Sequence, residues 1–281
     1  MNNVAAVTLR VAIPTSILEV ESSLALKSIR INQVARWCSI FGVYEVIFYK
    51  DPFTSDELFK EHKTVIKDHW RYFFTPPYLR KLLVPLTPAL KYVGMLPPIR
   101  LNIFNVNRRP KAGELRLGFL YRDSSGELKA LVGNSVPYDV LGECGKEQRI
   151  VLFLVKDEKR HLVECVDKPV YTGPQLTFSS SLREVIEKYR KTRNSFIVAT
   201  DRKGEIPLPH VVEGMRGSNL VLLFGSPKYD LFEIASQEGF HLEDHVDYVW
   251  NTIPRQKVVT VRTEEALIIT LGIINAFLRG I

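Results

Sequence analysis

Branched apolar residues alternate with polar ones over residues 7–13 and Pro14 stops the run, which predicts a strand. Residues 24–41 carry Leu26, Ile29, Val34, Trp37, Cys38 and Phe41 at helical spacing, with Ser22 or Ser23 to cap the start and Gly42 to stop the end. A compact apolar run at 43–49 then breaks at Lys50-Asp51-Pro52. Strand, helix, strand with short connectors is a βαβ unit, so the pattern predicts a parallel sheet. Residues 56–74 read as a second helix closed by Thr75-Pro76-Pro77, and the proline-punctuated stretch 78–96 as a hinge without a long helix.

From 103 to about 175 the texture changes. Short alternating runs at 114–122, 128–132, 149–156 and 161–166, separated by turn signals such as Asp123-Ser124-Ser125-Gly126, predict a small five-stranded OB-like barrel. A helix at 182–191 follows, and then a buried strand at 196–200 ending at Asp201-Arg202-Lys203-Gly204. The apolar run 220–224 stops abruptly at Gly225-Ser226-Pro227 and leads into a helix at 231–239. Another run, 246–250, breaks at Asn251-Thr252-Ile253-Pro254. A third strand-like run, 257–261, passes through Arg262-Thr263-Glu264-Glu265 into an apolar helix at 266–278. Strands that stop at small and turn residues along one edge are where α/β sheets bind ligands.

Composition adds little to the fold and something to the partners. The chain of 281 residues, 46% hydrophobic and 25% charged, can bury a sizeable core in one large or two modest domains. Its net charge of +7 is compatible with a polyanionic partner. The three cysteines, Cys38, Cys144 and Cys165, are isolated in sequence and give neither a disulfide framework nor a paired metal spacing, which points to a reducing compartment. The opening MNNVAAVTLRVAIP is too short and interrupted for a signal peptide, and no apolar stretch approaches the ~20 residues of a membrane span. A cytoplasmic protein with no membrane contact is the expectation. No GxGxxG follows a strand and no GxxxxGK[ST] occurs, which argues against dinucleotide and nucleoside-triphosphate enzymes. His241 and His245 are four apart, but the glutamate between them is not placed as in HExxH and no third ligand is near, so no metal is expected.

FGSPKYDLFEIA (224–235) and NTIPRQKVVTVRTEEALIITLG (251–272) resemble the C-terminal loops of the SPOUT superfamily of RNA methyltransferases. Near the N-terminus, ARWCSIFGV (35–43) and PYLRKLL with GMLPPIR resemble the archaeal and eukaryotic branch of that superfamily. The resemblance implies a knotted parallel-sheet α/β domain built from both termini, 1–102 and 178–281, with a trefoil knot over about 196–278. It implies an inserted OB-like barrel at 103–177, a homodimer through the knot domain, and S-adenosylmethionine as cofactor. It further implies cofactor contacts at Thr200, at Gly225, Ser226 and Pro227, at Asn251, Thr252, Ile253 and Pro254, and at Val261 and Thr263. Ribosomal RNA is the implied substrate, with a base nitrogen such as uridine N3 as acceptor.

Arg36, Arg10 and Glu264 are the candidate catalytic residues. Arg36 sits where ribose-methylating members of the superfamily place an arginine, but their asparagine six residues earlier is Arg30 here, which speaks against ribose chemistry. A guanidinium can stabilise an oxyanion on a base or hold a neighbouring phosphate; equally, Arg36 can be a solvated helix position. Arg10, a charge inside a strand, faces either a cleft or a sheet edge. Glu264 at a helix start serves either the cofactor or the helix dipole. Basic residues Arg71, Arg80 and Lys81, then Arg108, Arg109 and Lys111, lie near Tyr72, Phe73, Phe74 and Tyr78, a composition suited to RNA backbone and base stacking. A non-catalytic RNA-binding protein that keeps the cleft is the rival reading.

Overall fold

The computed structural model describes residues 7–279. In chain order its elements are β1 Thr8–Pro14, α1 Leu24–Ile40, β2 Glu45–Tyr49, α2 Asp56–Phe74, α3 Arg80–Leu83, β3 Leu115–Arg122, β4 Leu128–Leu131, β5 Tyr138–Leu141, β6 Arg149–Asp157 and β7 Leu162–Cys165. They continue with β8 Gln175–Ser179, α4 Leu182–Arg190, β9 Ser195–Glu205, α5 Pro209–Glu213, β10 Asn219–Leu223, α6 Leu231–Gln237, β11 Tyr248–Trp250 and α7 Thr263–Arg279. The fold is mixed α/β, with a parallel sheet and a separate closed barrel. The chain divides into a sheet unit (1–70, 89–97 and 173–281) and a barrel unit (71–88 and 98–172).

The sheet unit holds six parallel strands in the order β11-β9-β10-β1-β2-β8. β1 lies inside the sheet, pairing Leu9 with Leu220 of β10 and Val11 with Val46 of β2. Helices α4 and α6 close one face over Ala12, Ile47, Val221 and Leu223. On the other face α1 packs against α7, and α2 sets Trp70 edge-on to Phe48 at 6.0 Å between ring centroids. In the barrel unit β3-β4-β5-β7-β6 close on themselves around Leu120, Val132, Phe153 and Val163. The fully buried Arg116 is held there by the Asn107 carbonyl (3.0 Å) and Glu114 (3.1 Å), and Tyr78 donates to the Leu117 carbonyl at 2.8 Å.

Several expectations change. The cysteines do form a bond: Cys144 and Cys165, with Cα atoms 5.5 Å apart, are joined as a disulfide. Parallel pairing of β5 with β7 sets Leu141 against Glu164 and carries the two cysteines together from 21 residues apart. Residues 257–261 form a loop rather than a strand, with Val258 and Val259 exposed and their carbonyls accepting from the Gln256 side chain at 3.0 and 3.2 Å. β9 runs on to Glu205 because β11 pairs with it on both sides of a register jump, from Ala199 to Glu205.

α1 departs from its expected faces in its first half only. Leu26 and Ile29 are exposed, whereas Ser28, Arg30 and Asn32 are buried; Val34 and Cys38 further on are buried as their spacing expects. Each of those three polar groups has a partner in place, as buried polar groups require. Ser28 meets His69 Nε2 at 2.9 Å and Asn32 donates to the Pro97 carbonyl at 3.1 Å, while Arg30 is ion-paired with Glu21 and Glu264.

His62 of α2 is fully buried and neither ring nitrogen has a hydrogen-bond partner among the described residues. Burial, with nearby Lys27 adding to it, lowers its pKa to about 4. The unfolded chain therefore takes up a proton near pH 6.5 that the folded chain refuses until about pH 4. Stability falls as pH drops through that window, by on the order of 3 kcal/mol for this group alone. Urea denaturation at pH 7.5, 5.5 and 4.5 measures the slope, and His62→Leu is expected to flatten it.

Candidate active site

The ends of β10 and β11 and the middle of β9 build a cleft of about 350 Å³. Thr200 of β9 ties its hydroxyl to the Leu223 carbonyl at the end of β10 at 2.8 Å, locking the two strands together. After β10 the chain turns on Gly225-Ser226-Pro227: the Ser226 hydroxyl accepts from the Tyr229 amide at 2.9 Å, and the Ser226 amide donates back to the Tyr229 carbonyl at 2.9 Å. α6 then starts on a reciprocal cap, with Asp230 accepting from the Glu233 amide and Glu233 from the Asp230 amide, each at 2.8 Å. A Cβ on Gly225 would lie 3.1 Å from the Tyr229 carbonyl oxygen, so the turn favours glycine.

Past β11, Asn251 accepts from the Ile253 amide at 3.0 Å and donates to the Arg202 carbonyl at 2.9 Å. The loop 254–262 closes the cleft with Gln256, Val259, Thr260 and Val261. Thr263 at the start of α7 donates to the Gly225 carbonyl at 3.0 Å, joining the last loop to the first. The cleft is lined by Thr200, Gly225, Ser226, Pro227, Asn251, Thr252, Ile253, Val261 and Thr263, all named from the sequence; Pro254 is not among its walls. Asp201 and Asp230 also line it and were not anticipated. Burial raises the Asp201 carboxyl above its ordinary value, whereas Asp230 is bridged by Lys203 at 2.8 Å.

The candidate catalytic residues fall in different places. Glu264 is buried beside the cleft, ion-paired with Arg30 and 4.0 Å from Arg262. Glu21 completes the cluster, pairing with Arg30 and with Arg262 at 3.1 Å. Burial pushes the Glu264 carboxyl up, against its own backbone amide and the two guanidinium groups. Arg36 is half-buried on α1 and does not line the cleft. Arg10 is not brought to it either. Its guanidinium donates to Glu45 at 3.1 Å and Asn219 at 2.7 Å and lies between the rings of Tyr44 and Tyr189. Glu45 and Asn219 begin β2 and β10, so this assembly marks the sheet edge opposite the cleft.

The basic residues near the barrel belong to one unit. Arg108, Arg109 and Lys111 are exposed, Arg71 donates to the Leu83 carbonyl at 2.6 Å, and Arg80 covers the Tyr72 ring at 4.4 Å, beside the exposed Lys81. Phe73 and Tyr78 belong to packing: Phe73 is buried, and burial pushes the Tyr78 hydroxyl up to about 12.

A model of the family described as "Putative RNA methyltransferase" matches residues 8–274. The chain belongs to this family. An uncharacterized protein of Halobacterium salinarum is 26% identical over 94% of this chain and 98% of its own length. A protein of Drosophila melanogaster named 28S rRNA (uridine-N(3))-methyltransferase is 26% identical over 94% of this chain and 61% of its own length. A human protein of the same name is 32% identical over 33% of this chain and 27% of its own length. The methyltransferase places its cleft at the strand ends, and a second cavity of about 90 Å³ shares Ser226, Pro227, Lys228 and Tyr229 with it. No helix among the described residues is long and apolar enough to cross a membrane.

The ion cluster beside the cleft has a testable order of costs. Glu264→Gln leaves Arg30 with Glu21 and is expected to cost about 2 kcal/mol, below the 3–5 of a buried charge with no partner left. Arg30→Met leaves two buried carboxylates to share the partly exposed Arg262 and is expected to cost more than Glu264→Gln. Urea denaturation of both variants at pH 7 checks the order.

Proposed function

We propose that the chain transfers the methyl group of S-adenosylmethionine to a uridine base nitrogen, N3, of ribosomal RNA. The observation that carries this reading is the gathering of Gly225-Ser226-Pro227, Asn251-Thr252-Ile253, Val261 and Thr263 around one cleft of about 350 Å³. That volume lies within the usual range for small-molecule sites, and the names of the Drosophila and human relatives support uridine in ribosomal RNA as acceptor.

The residues fit such a donor through their backbone groups. The turns at 225–229 and 251–254 bring amides and carbonyls to the rim, with Thr200 and Thr263 fixing their spacing. When bound, the sulfonium donor supplies an electrophilic methyl carbon. The chain's task is then to orient donor and base and to remove water, since an in-line displacement is accelerated chiefly by positioning. Glu264, held by Arg30 and Arg262, stiffens the start of α7 behind the cleft. Arg36 in the sheet unit and, separately, Arg71, Arg80, Lys81, Arg108, Arg109 and Lys111 in the barrel unit are assigned RNA contacts. The finer architecture we infer is the SPOUT-type knot within 196–278 and an OB-like barrel at 103–177. A homodimer would cover the exposed Leu26, Ile29 and Ile40 of α1 and Ile269 of α7.

Titration calorimetry with S-adenosylmethionine tests the reading. Wild-type protein is expected to bind in the micromolar range, ~−8 kcal/mol. Gly225→Val, folded by circular dichroism, is expected to lose binding because its side chain meets the Tyr229 carbonyl. Absence of binding to folded wild-type protein would overturn the proposal.

A further inference from the structure

The small second cavity is chemically unlike the cleft it adjoins. Glu19 and Asp51, following β1 and β2, meet Lys228 and Tyr229 there. Phe53 stacks on Tyr229 with ring centroids 3.7 Å apart at 19°, and it remains 42% exposed, so the stacked pair brings aromatic surface to the cavity. The two carboxylates differ in their duties. Asp51 is buried and consumed by the fold: it accepts from the Ser16 hydroxyl and from the Phe53 amide at 3.0 Å. Glu19 is half-buried, accepts from Thr54 at 2.6 Å through one oxygen, and is in no ion pair among the described residues. Lys228 is exposed and likewise in no ion pair among them.

An aromatic shelf, an acceptor with spare capacity and an adjacent cationic donor complement a ring whose imino N–H lies between carbonyl oxygens. Uracil has that edge; cytosine presents an amino donor and a bare ring nitrogen instead. We propose that this cavity receives the uracil base taken out of the RNA stack, and that Glu19 accepts its imino proton. This rests on the methyl-transfer reading above. The base N–H bond breaks as its proton passes to the Glu19 carboxylate. The freed nitrogen lone pair forms the bond to the methyl carbon, and the carbon–sulfur bond breaks to leave a neutral thioether. Lys228 faces the carbonyl oxygen that gains charge as the proton leaves.

The first test contains no methyl donor. Uridine 5′-monophosphate and cytidine 5′-monophosphate are titrated into nitrogen-15-labelled protein. The uridine nucleotide is expected to shift the amides of Phe53 and Tyr229 and to bind about tenfold tighter or more. Glu19→Gln is expected to abolish that preference. Equal binding of the two nucleotides, shifts confined to other regions, or no shift at about 10 mM uridine nucleotide would overturn the proposal. The second test measures methyl transfer to ribosomal RNA. Glu19→Gln is expected to lower the rate about 10²-fold or more, with S-adenosylmethionine affinity unchanged and Glu19→Asp partly active. A wild-type rate in Glu19→Gln, or loss of donor affinity in that variant, would overturn the proton role. Failure of wild-type protein to bind S-adenosylmethionine would sink the methyl-transfer reading, while the nucleotide titration decides the base pocket on its own.

Discussion

The backbone of β1 needs partners on both sides, and only the far end of the chain supplies one of them. Arg10 through Ala12 pair both with β2, from Glu45 onward, and with β10, from Val221 onward. Buried amides and carbonyls left unpaired would be costly, so the sheet cannot close without both halves. The same pairing determines the function's geography. Because all six strands run parallel, their C-terminal ends share one edge, where the loops after β10 and β11 meet Thr200, Asp201 and Arg202 of β9, and where the loops after β1 and β2 reach the 226–229 turn.

The two cavities follow from that edge. Ser226, Pro227, Lys228 and Tyr229 line both, so a single turn shapes the two spaces together. Ser226 is central to it, since its hydroxyl is consumed by the turn's own amides. The charges around Arg30 and Glu264 serve a neighbouring purpose by fixing α1 against the start of α7.

How much of this the sequence disclosed depended on how local the cause was. The strand stops at Gly225-Ser226-Pro227 and Asn251-Thr252-Ile253-Pro254 were legible because turn chemistry is written in adjacent residues. The long helix at Asp56–Phe74 was legible because its apolar stripe is regular. The first half of α1 misled because hydrophobic periodicity does not see Ser28, Arg30 and Asn32 buried against specific partners. β5 escaped notice because its four residues include a single buried side chain. Arg10 was an odd charge in a strand for a structural reason: register places Glu45 and Asn219 beside it, at the edge away from the cleft. Glu19 and Asp51 gave no signal at all, since their cavity exists only once β1, β2 and the 226–229 turn are side by side.

The position of β1 also sets an order of events during synthesis. Its partner in β10 begins at Asn219, about 200 residues later, so at the usual 5–20 residues per second the first strand waits roughly 10–40 s for its second neighbour. The barrel strands, by contrast, all lie between Leu115 and Cys165 and find every partner within that interval. On the ribosome the middle of this chain can therefore be complete while its beginning still awaits its end, and a nascent β1 spends that interval as a half-paired, apolar edge.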